Sequence, residues 1–506
     1  WEGQGGRVNW ARAGLDSTQI YAQLRSYKLD ASGQELKADS VSFYLKRFME
    51  TPMLGSYENK LVPNNKMSTT AYPKFESYDK DLEIDKIGEN ISFVGGIKVD
   101  GAKIYGVGDE NRDASMIFYM PDGKTKALRA SMKEVSMLKP IDIKMNEAEV
   151  VVYLGEDSIY HPGIALTFNI PNRELKLLRG ERGTKKVKFY SSYHKSEIEA
   201  DQLSWDLDKE LMEFKMISGA GEKPMTVESI NYFSQNKYRQ IQGNTTYQPL
   251  AVLRKMVLDY GTNELLDENV AKAFNPNLSV SQASPIFNQL VEEGFIRYDR
   301  ERSTVEVLPK ATHYVDSYIK VLDKGKGSDY DIIKFNSLSK DISAEINLQN
   351  YAMEVNGVEA VPISDSGFVV FFPDDKTLTY GKDRDMEFDG LILAGRLDLH
   401  GAGFYFHYTP FNVDLTVMDS MLINIPWGTD VDAFGDPILV PLESYIEKLT
   451  GTLEIDAPLN KSGRITKDLN YIYPIITSKE VSYIYYDRIK SFSGSYLRDS
   501  FYFALE

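Results

Sequence analysis

The chain has 506 residues, of which 42% are apolar and 26% charged, so it can bury several cores and wholesale disorder is excluded. Its 74 acidic and 58 basic residues give a net charge of −16, which opposes binding to nucleic-acid phosphates and to anionic lipid. It has no cysteine, which excludes disulfides, cysteine nucleophiles and thiolate metal sites.

The first residues, Trp1 to Gly6, lack the basic region and the apolar core of a signal peptide. No run reaches the roughly 18 consecutive apolar residues of a membrane span. A mature exported chain would have lost both its signal and its initiator Met. Together with the lack of cysteine, this favours an extracytoplasmic location.

Apolar and polar residues alternate with the period of a β-strand through much of the chain, most clearly at 397–408 and 411–425. Turn signals such as Asp100-Gly101 and Asn356-Gly357 separate these runs, and the second fits a type I′ hairpin. The sequence therefore predicts a mainly β, multi-domain protein with irregular antiparallel stacks of sandwich or solenoid type. We divide it into an N-terminal β segment (1–70), a β-rich domain (71–246), an insert (247–320) and a second β-rich domain (321–506).

The dipeptide Asp-Ser recurs before alternating apolar residues. It occurs at Asp39, Asp157, Asp365, Asp419 and Asp499, at irregular intervals. One interpretation is irregular repetition of a β-unit. The alternative is a common turn that precedes a strand.

The insert breaks the strand pattern. Pro249 to Tyr260 has a helical apolar face and is followed by Gly261, a second short helix spans 265–274, and a third spans 279–294 with Ser279 as N-cap. A strand at 295–298 and another at 304–307 then form a hairpin. Three helices followed by a hairpin resemble a winged-helix domain.

This module is not expected to bind DNA. A recognition helix presents basic and amide side chains to the major groove. The third helix contains no Lys or Arg, and it ends in Glu292-Glu293. A packing insert or a contact for a protein partner is the favoured interpretation.

Two acidic segments are candidate cation sites. The run Asp383 to Gly390 imitates the start of an EF-hand, but the twelfth position is Arg396, where a bidentate carboxylate is needed, so a strand with an acidic face is favoured. In the loop at 428–436, Asp430, Asp432 and Asp436 could bind Ca²⁺. No other cofactor is expected.

No pattern in the sequence identifies a catalytic site. No Gly-rich phosphate loop and no Gly-x-Ser-x-Gly elbow occurs, and the five His form no helical ligand pair. His400 and His407 would lie on opposite faces of a continuous strand. A pair of catalytic carboxylates could lie on different strands, so a glycan-active enzyme stays open as an alternative.

Four strings carry a resemblance that runs along most of the chain: GGRVNWARAGLD (5–16), KADSVSFY (37–44), EDSIYHPGIALTF (156–168) and AGRLDLHGAGFYFHY (394–408). Together with the helical insert, they resemble large cell-envelope proteins of Bacteroidota. The resemblance implies a Gram-negative periplasm or outer-membrane setting, and it implies no activity. Residues 91–99 and 200–205 also resemble the periplasmic β-folds of lipopolysaccharide transport.

These observations favour a non-catalytic structural or protein-interaction component of the bacterial envelope. Its expected partners are other envelope proteins or a continuation of its own chain, with no nucleic acid and no membrane span. The alternatives are lipid or glycan binding and a glycan-active enzyme. Because the apolar run at 501–505 asks for burial on both faces, we also expect the chain to continue past Glu506 or to be covered there by a partner.

Overall fold

The computed structural model describes residues 1–30, 32, 34–60, 72–137, 142–217, 223–324, 326–431, 437–442, 446–447, 449–465, 472–487 and 495–505. The chain packs into two compact units. The first comprises residues 1–181 and 203–210, and the second comprises residues 182–202 and 211–506. Both consist mostly of antiparallel strands, and the predicted mainly β class is confirmed.

The strands before residue 182 are β1 (Glu2–Gln4), β2 (Arg7–Asn9), β3 (Ile20–Gln23), β4 (Ser26–Asp30), β5 (Glu35–Leu45), β6 (Met53–Lys60), β7 (Lys74–Ser77), β8 (Leu82–Gly88), β9 (Ile91–Asp100), β10 (Lys103–Val107), β11 (Ala114–Tyr119), β12 (Lys126–Met132), β13 (Glu134–Ser136), β14 (Asp142–Leu154), β15 (Asp157–Asn169) and β16 (Glu174–Leu178).

The later strands are β17 (Phe189–Ser191), β18 (Ser196–Glu199), β19 (Gln202–Asp206), β20 (Leu211–Lys215), β21 (Met225–Ser229), β22 (Glu264–Leu266), β23 (Ile296–Asp299), β24 (Thr304–Val307), β25 (Lys334–Ser337), β26 (Ile342–Asn347), β27 (Met353–Asn356), β28 (Val361–Ser364), β29 (Val369–Pro373), β30 (Thr377–Tyr380), β31 (Met386–Ala394), β32 (Leu397–His407), β33 (Asn412–Leu415), β34 (Val417–Val431), β35 (Pro437–Pro441), β36 (Ile446–Glu447), β37 (Gly451–Glu454), β38 (Ile475–Ser478), β39 (Ser482–Tyr485) and β40 (Tyr502–Leu505). The helices are α1 (Gln235–Gln242), α2 (Pro249–Tyr260), α3 (Asp267–Phe274), α4 (Val280–Glu292) and α5 (Pro309–Leu322).

In the first unit, β9 joins two groups of strands. Its first half pairs with β8 and β11, and its second half pairs with β7 and β10. The change of partners falls at Gly95, whose φ of +155° disfavours any other residue and where a Cβ would lie 2.8 Å from the Phe93 ring. This glycine therefore lets one strand serve two groups of neighbours.

An aromatic cluster fills the N-terminal part of this unit. The Trp10 ring packs edge-on against Phe43 and Tyr57, with ring centroids 5.1 and 5.6 Å away. Its indole Nε1 donates a 2.9 Å hydrogen bond to the carbonyl oxygen of Pro73. Because the indole N–H is satisfied, the largest side chain of the cluster can be fully buried without a desolvation penalty.

The second unit uses the same shared-strand arrangement around β31. Its first residues pair with β30, its last with β29, and β32 lies along the other side. The register shifts next to Gly390, whose φ is +146° and where a Cβ would lie 2.2 Å from the carbonyl oxygen of Phe372. At this shift two residues of β32, Ala402 and Gly403, lie opposite the single residue Asp389 of β31, so β32 contains one extra residue between Gly401 and Phe404.

The shift in β32 corrects one sequence prediction. Without it, His400 and His407 would lie on opposite faces. With it, both project from the more exposed face while Phe404 and Phe406 are buried. His400 lies 3.7 Å from Asp374 and 3.6 Å from Asp419, and His407 lies 3.0 Å from Asp414, so the two rings have separate acidic neighbours.

The helical module has the three predicted helices, α2 to α4, and the predicted hairpin, β23–β24, to which β22 adds a third strand. Ser279 and Gln282 form a capping box at the start of α4. Leu253, Leu290 and Phe295 are buried in the predicted core, and Val257 and Ile286 pack against it partly buried. Two further helices, α1 and α5, complete this core and were not predicted.

The Asp-Ser dipeptides have no common structural role. Asp157 opens β15, whereas Asp39 lies within β5 beside a bulge and Asp419 lies within β34. The positions therefore give no support to repetition of one β-unit.

Replacement of a core leucine of α2 tests the module core. We expect Leu253→Ala to lower the free energy of local opening of residues 249–307 by about 2–5 kcal/mol, because it leaves a cavity. The matched control is Leu258→Ala in the same helix, whose side chain is 65% exposed. Hydrogen exchange measured by mass spectrometry reports this local opening. Equal protection factors in the two variants would contradict the packing described.

Candidate functional site

The module is inserted between two strands that pair with each other. Residues 230–333 leave the sheet from β21 and return to it at β25, and the antiparallel register places Glu228 opposite Lys334. On the other side of β21, the register with β18 places Glu197 opposite Glu228. Two glutamates and a lysine therefore form a row across three adjacent strands. Like charges directly opposite each other are unfavourable, so this row needs counter-charges.

Two nearly buried lysines supply those counter-charges. Lys188, just before β17, lies 3.1 Å from Glu228 and 3.6 Å from Glu197. Lys310, in the first turn of α5, lies 2.6 Å from Glu197 and 3.4 Å from Glu228. Because Lys310 belongs to the module and the others to the β framework, this four-residue ion cluster fastens the module to the sheet. We call it the charge cluster.

The charge cluster shifts the pKa values of Glu228 and Lys188. Burial disfavours the Glu228 carboxylate, but attraction to Lys310 and Lys188 outweighs burial and holds the pKa of Glu228 well below its ordinary value of 4.5. Burial likewise opposes the charge on Lys188, yet Glu228 and Glu197 raise the pKa of Lys188. Lys237, in α1, behaves oppositely, since burial and repulsion by Lys310 and Lys188 lower its pKa.

A second polar contact joins the module to the framework at Asp331. This residue is fully buried, and its carboxylate accepts hydrogen bonds from the hydroxyls of Ser229 (2.7 Å) and Tyr408 (2.8 Å). The Arg384 guanidinium lies 3.6 Å from the centre of the Tyr408 ring. Burial raises the pKa of Asp331 above its ordinary value of 3.8. The stabilising contribution of Asp331 is therefore fully present below pH 3.8, and it is lost as the pH rises through the raised pKa.

A polar cleft of about 540 Å³ opens beside the charge cluster. It lies where the start of α1, β25 and the β28–β29 turn meet. Its lining residues are Tyr232, Phe233, Ser234, Gln235, Asn236, Tyr330, Ile332, Lys334, Asn336, Pro362, Asp365 and Arg464. Side chains that form hydrogen bonds predominate, and the volume lies in the range of small-molecule sites.

Two cations face this cleft. Lys334 lies 3.1 Å from Glu228 and 5.5 Å from the centre of the Tyr232 ring, and its side chain is 37% exposed, against 11 and 12% for Lys188 and Lys310. Arg464 donates a 2.8 Å hydrogen bond from Nε to the Tyr330 hydroxyl. Among the described residues, this hydroxyl is the one hydrogen-bond partner of the Arg464 guanidinium.

A second hollow, of about 520 Å³, adjoins the cleft at their common residue Asp365. It is lined mainly by apolar side chains: Phe368, Val370 and Leu393, with Ser364, Asp365 and Gly395. Phe368 is 73% exposed, and its backbone has a φ of +49°, an unfavourable conformation for an aromatic residue. The β28–β29 turn thus presents an aromatic ring to solvent next to the polar cleft.

The residues predicted to bind a cation are only partly described. Asp430 is exposed on β34, whereas Asp432 and Asp436 lie outside the described residues. In the described part of the chain, no group of three or more His, Asp or Glu side chains is placed to hold a metal ion. The Ca²⁺ loop therefore stays a prediction.

No sequence motif marks the charge cluster or the cleft, because their residues come from distant segments. Lys188 ends the basic run 178–188, a composition that is typical of a solvated surface turn, yet its side chain is nearly buried against Glu228. A basic run next to the acidic alternation Glu197-x-Glu199 was the available signal for paired strands of opposite charge.

None of the helices described is long and apolar enough to cross a membrane. No family model, curated protein or solved structure matches the chain.

The charge cluster has a testable pH dependence. The pKa of Glu228 is lower in the folded chain than its ordinary 4.5, so its stabilising effect is complete above about 4.5 and is lost as the pH falls toward the folded pKa. We expect Glu228→Gln to destabilise the module by about 3–5 kcal/mol at neutral pH, because it leaves the nearly buried Lys188 and Lys310 with Glu197 as their shared counter-charge. The difference from the unmodified chain should shrink as the pH falls below about 4.5.

The control for this prediction is Glu359→Gln, which removes an exposed carboxylate 3.0 Å from Lys376 and should change stability little. Hydrogen exchange of the module and urea unfolding followed by circular dichroism between pH 3 and 8 measure the effect. If Glu228→Gln lost as little stability as Glu359→Gln, the charge cluster would not fasten the module.

Proposed function

We propose that this chain is a non-catalytic interaction component of the bacterial cell envelope, located in the periplasm or at the outer membrane. The observation that carries the proposal is a two-stranded hairpin with exposed apolar residues, formed by β34 and β35. The resemblance to envelope proteins of Bacteroidota provides the setting. The acidic net charge and the lack of cysteine are consistent with it.

The hairpin begins where β34 leaves its neighbour β32. Beyond Asn424, β34 pairs with β35 and with no other strand of the described chain. Its exposed apolar side chains are Ile425, Trp427, Val431, Ile438 and Leu439. A two-stranded hairpin is marginally stable alone in water, and clustered exposed apolar residues mark interaction sites. A protein partner that adds a strand to this hairpin would satisfy its unpaired backbone groups and cover these side chains.

A second edge in the same region has similar character. The strand β40 pairs with β39, and Tyr483, Tyr485 and Tyr502 cluster there with ring centroids 5.6 to 6.2 Å apart. Phe501 and Phe503 are about half exposed. About half of the exposed large apolar side chains in the described chain lie beyond residue 424, so the candidate interaction surface is concentrated in one region.

Filled cores favour this proposal over lipid transfer. In the first unit, the Phe43 ring stacks on Phe75 at 4.1 Å, and in the second, the Phe371 ring lies 4.9 Å from Phe388. All four rings are buried. Such interiors leave little room for acyl chains between these strands.

We further propose that the helical module, a winged-helix-like insert, serves packing and not DNA binding. The acidic end of α4 is already engaged, since Glu292 lies 2.7 Å from Lys186 and Glu293 lies 2.5 Å from Lys237. We therefore predict that the purified chain shows no salt-sensitive binding to duplex DNA in fluorescence anisotropy at low salt. Submicromolar binding that weakens steeply with added salt would contradict this prediction.

Site-specific photocrosslinking tests the interaction function. A photoreactive amino acid replaces Trp427, whose side chain is 62% exposed, and the chain is expressed in its native host before irradiation of intact cells. We expect one discrete protein adduct heavier than the 57.4 kDa chain. The matched control carries the same photoreactive group at the exposed Lys376, outside the hairpin, and should give no adduct.

A second variant tests whether the apolar hairpin itself binds the partner. Leu439→Asp places a charge on the exposed face, and we expect it to weaken the captured complex about tenfold to a hundredfold while the fold is kept. Measurements of the affinity with the identified partner decide this. Adducts to lipid only, or equal affinity of the Leu439→Asp variant, would contradict the proposed function.

A further inference from the structure

The polar cleft and the hollow beside it together have the features of a binding site. The lining of the cleft includes two cations, amides and a carboxylate, and the hollow that shares Asp365 with it includes an exposed aromatic ring. We propose that this surface binds an acidic oligosaccharide, with a sugar carboxylate at Lys334 and Arg464 and a neighbouring sugar ring on Phe368. This site is independent of the β34–β35 hairpin, so either proposal can fail alone.

The geometry of the charge cluster explains why Lys334 can contact a ligand in the cleft. The Glu228 carboxylate is already contacted by Lys188 and Lys310, each of which also contacts Glu197. These two lysines and two glutamates balance each other. Lys334 reaches Glu228 from the cleft side as a third cation, and it is the most exposed of the three. Lys334 therefore shares the Glu228 carboxylate with two other cations, and the exposed part of its ammonium group faces the cleft.

Arg464 provides the second positive charge. Among the described residues, its one hydrogen bond runs from Nε to the Tyr330 hydroxyl, which orients the guanidinium and leaves its terminal nitrogens for a ligand. A guanidinium fork matches the geometry of a carboxylate. On a chain with a net charge of −16, a cleft with two cations and the single carboxylate of Asp365 is locally positive.

The rest of the lining favours a saccharide over a simple anion or a fatty acid. Gln235, Asn236 and Asn336 present amide groups that can donate to and accept from sugar hydroxyls. Asp365 lies between the cleft and the hollow and can accept from a hydroxyl there. The exposed face of Phe368 can pack against the apolar C–H face of a sugar ring. A fatty acid needs an apolar channel to desolvate its chain, and this hollow is open to solvent at Phe368.

Isothermal titration calorimetry on the purified 506-residue chain tests the proposal. The ligands are a galacturonic acid trisaccharide, a hyaluronan tetrasaccharide and the methyl ester of the first, which is neutral and of similar shape. Sodium octanoate and sodium sulfate serve as a fatty acid and a simple anion. We expect at least one acidic saccharide to bind at millimolar concentration or below and the neutral ester to bind about tenfold more weakly or not at all.

Substitutions locate the binding in the cleft. Lys334→Met should weaken binding about tenfold, because it removes the exposed cation and leaves Glu228 with two lysines. Phe368→Ala should weaken it about threefold, and Asp365→Asn should strengthen it about threefold by removing repulsion. Lys376→Met, which removes an exposed lysine elsewhere on the same unit, is the matched control and should bind like the unmodified chain.

Four results would overturn the proposal: equal binding of the neutral ester, octanoate or sulfate binding as tightly as the saccharides, equal effects of Lys334→Met and Lys376→Met, or no binding of either acidic saccharide at millimolar concentration. Circular dichroism of each variant confirms folding. Leu439→Asp in the hairpin should leave saccharide binding unchanged, which separates this test from that of the interaction function.

Discussion

The Glu228 carboxylate is a buried charge that connects several parts of the second unit. It lies on β21, at the point where the chain leaves the sheet to form the helical module, and three lysines from three separate segments contact it. One of them belongs to the module, one precedes β17, and one begins β25, the strand that receives the chain back. A single buried charge thus connects the insert, the sheet and the entrance of the polar cleft.

A buried ion cluster adds little net stability, because removing its charges from water costs much of the free energy that their attraction provides. Well-packed apolar residues of similar volume often stabilise a fold as much or more, whereas removal of one partner is strongly unfavourable. The row Glu197, Glu228 and Lys334 instead fixes how the module lies on the sheet, since only one register brings Lys310 between the two glutamates. We infer that the charge cluster contributes mainly to orientation, and that the apolar core of the module contributes its stability.

Local signals in the sequence predicted local structure well. Strand alternation gave the mainly β class, and the cap residues Ser279 and Gly261 marked helix ends that the structure confirms. Helix α5 was missed although Pro309 occupies its first turn, a position that suits proline. The predicted hairpin at Asn356-Gly357 was wrong, because β27 pairs with β26 and β30 and not with the strand that follows it.

The candidate site could not be predicted for a different reason. Its residues lie near positions 232, 334, 365 and 464, so only strand pairing over long separations brings them together. Lys334 begins a strand and Arg464 follows a turn, and these positions form no recognisable sequence motif. Register shifts add a second difficulty, since the extra residue of β32 between Gly401 and Phe404 reverses the expected faces of His400 and His407. Such shifts depend on contacts with neighbouring strands and not on the alternation itself.

The position of the module between paired strands has a consequence for the order of folding. The strands β21 and β25 are separated by residues 230–333, and closing so long a flexible segment costs considerable chain entropy. If the module folds first from its many local helical contacts, its two ends are brought close together and the remaining closure becomes short. The helical insert would then bring β25 to β21 in register, and the sheet of the second unit would assemble around a nucleus that is mainly helical.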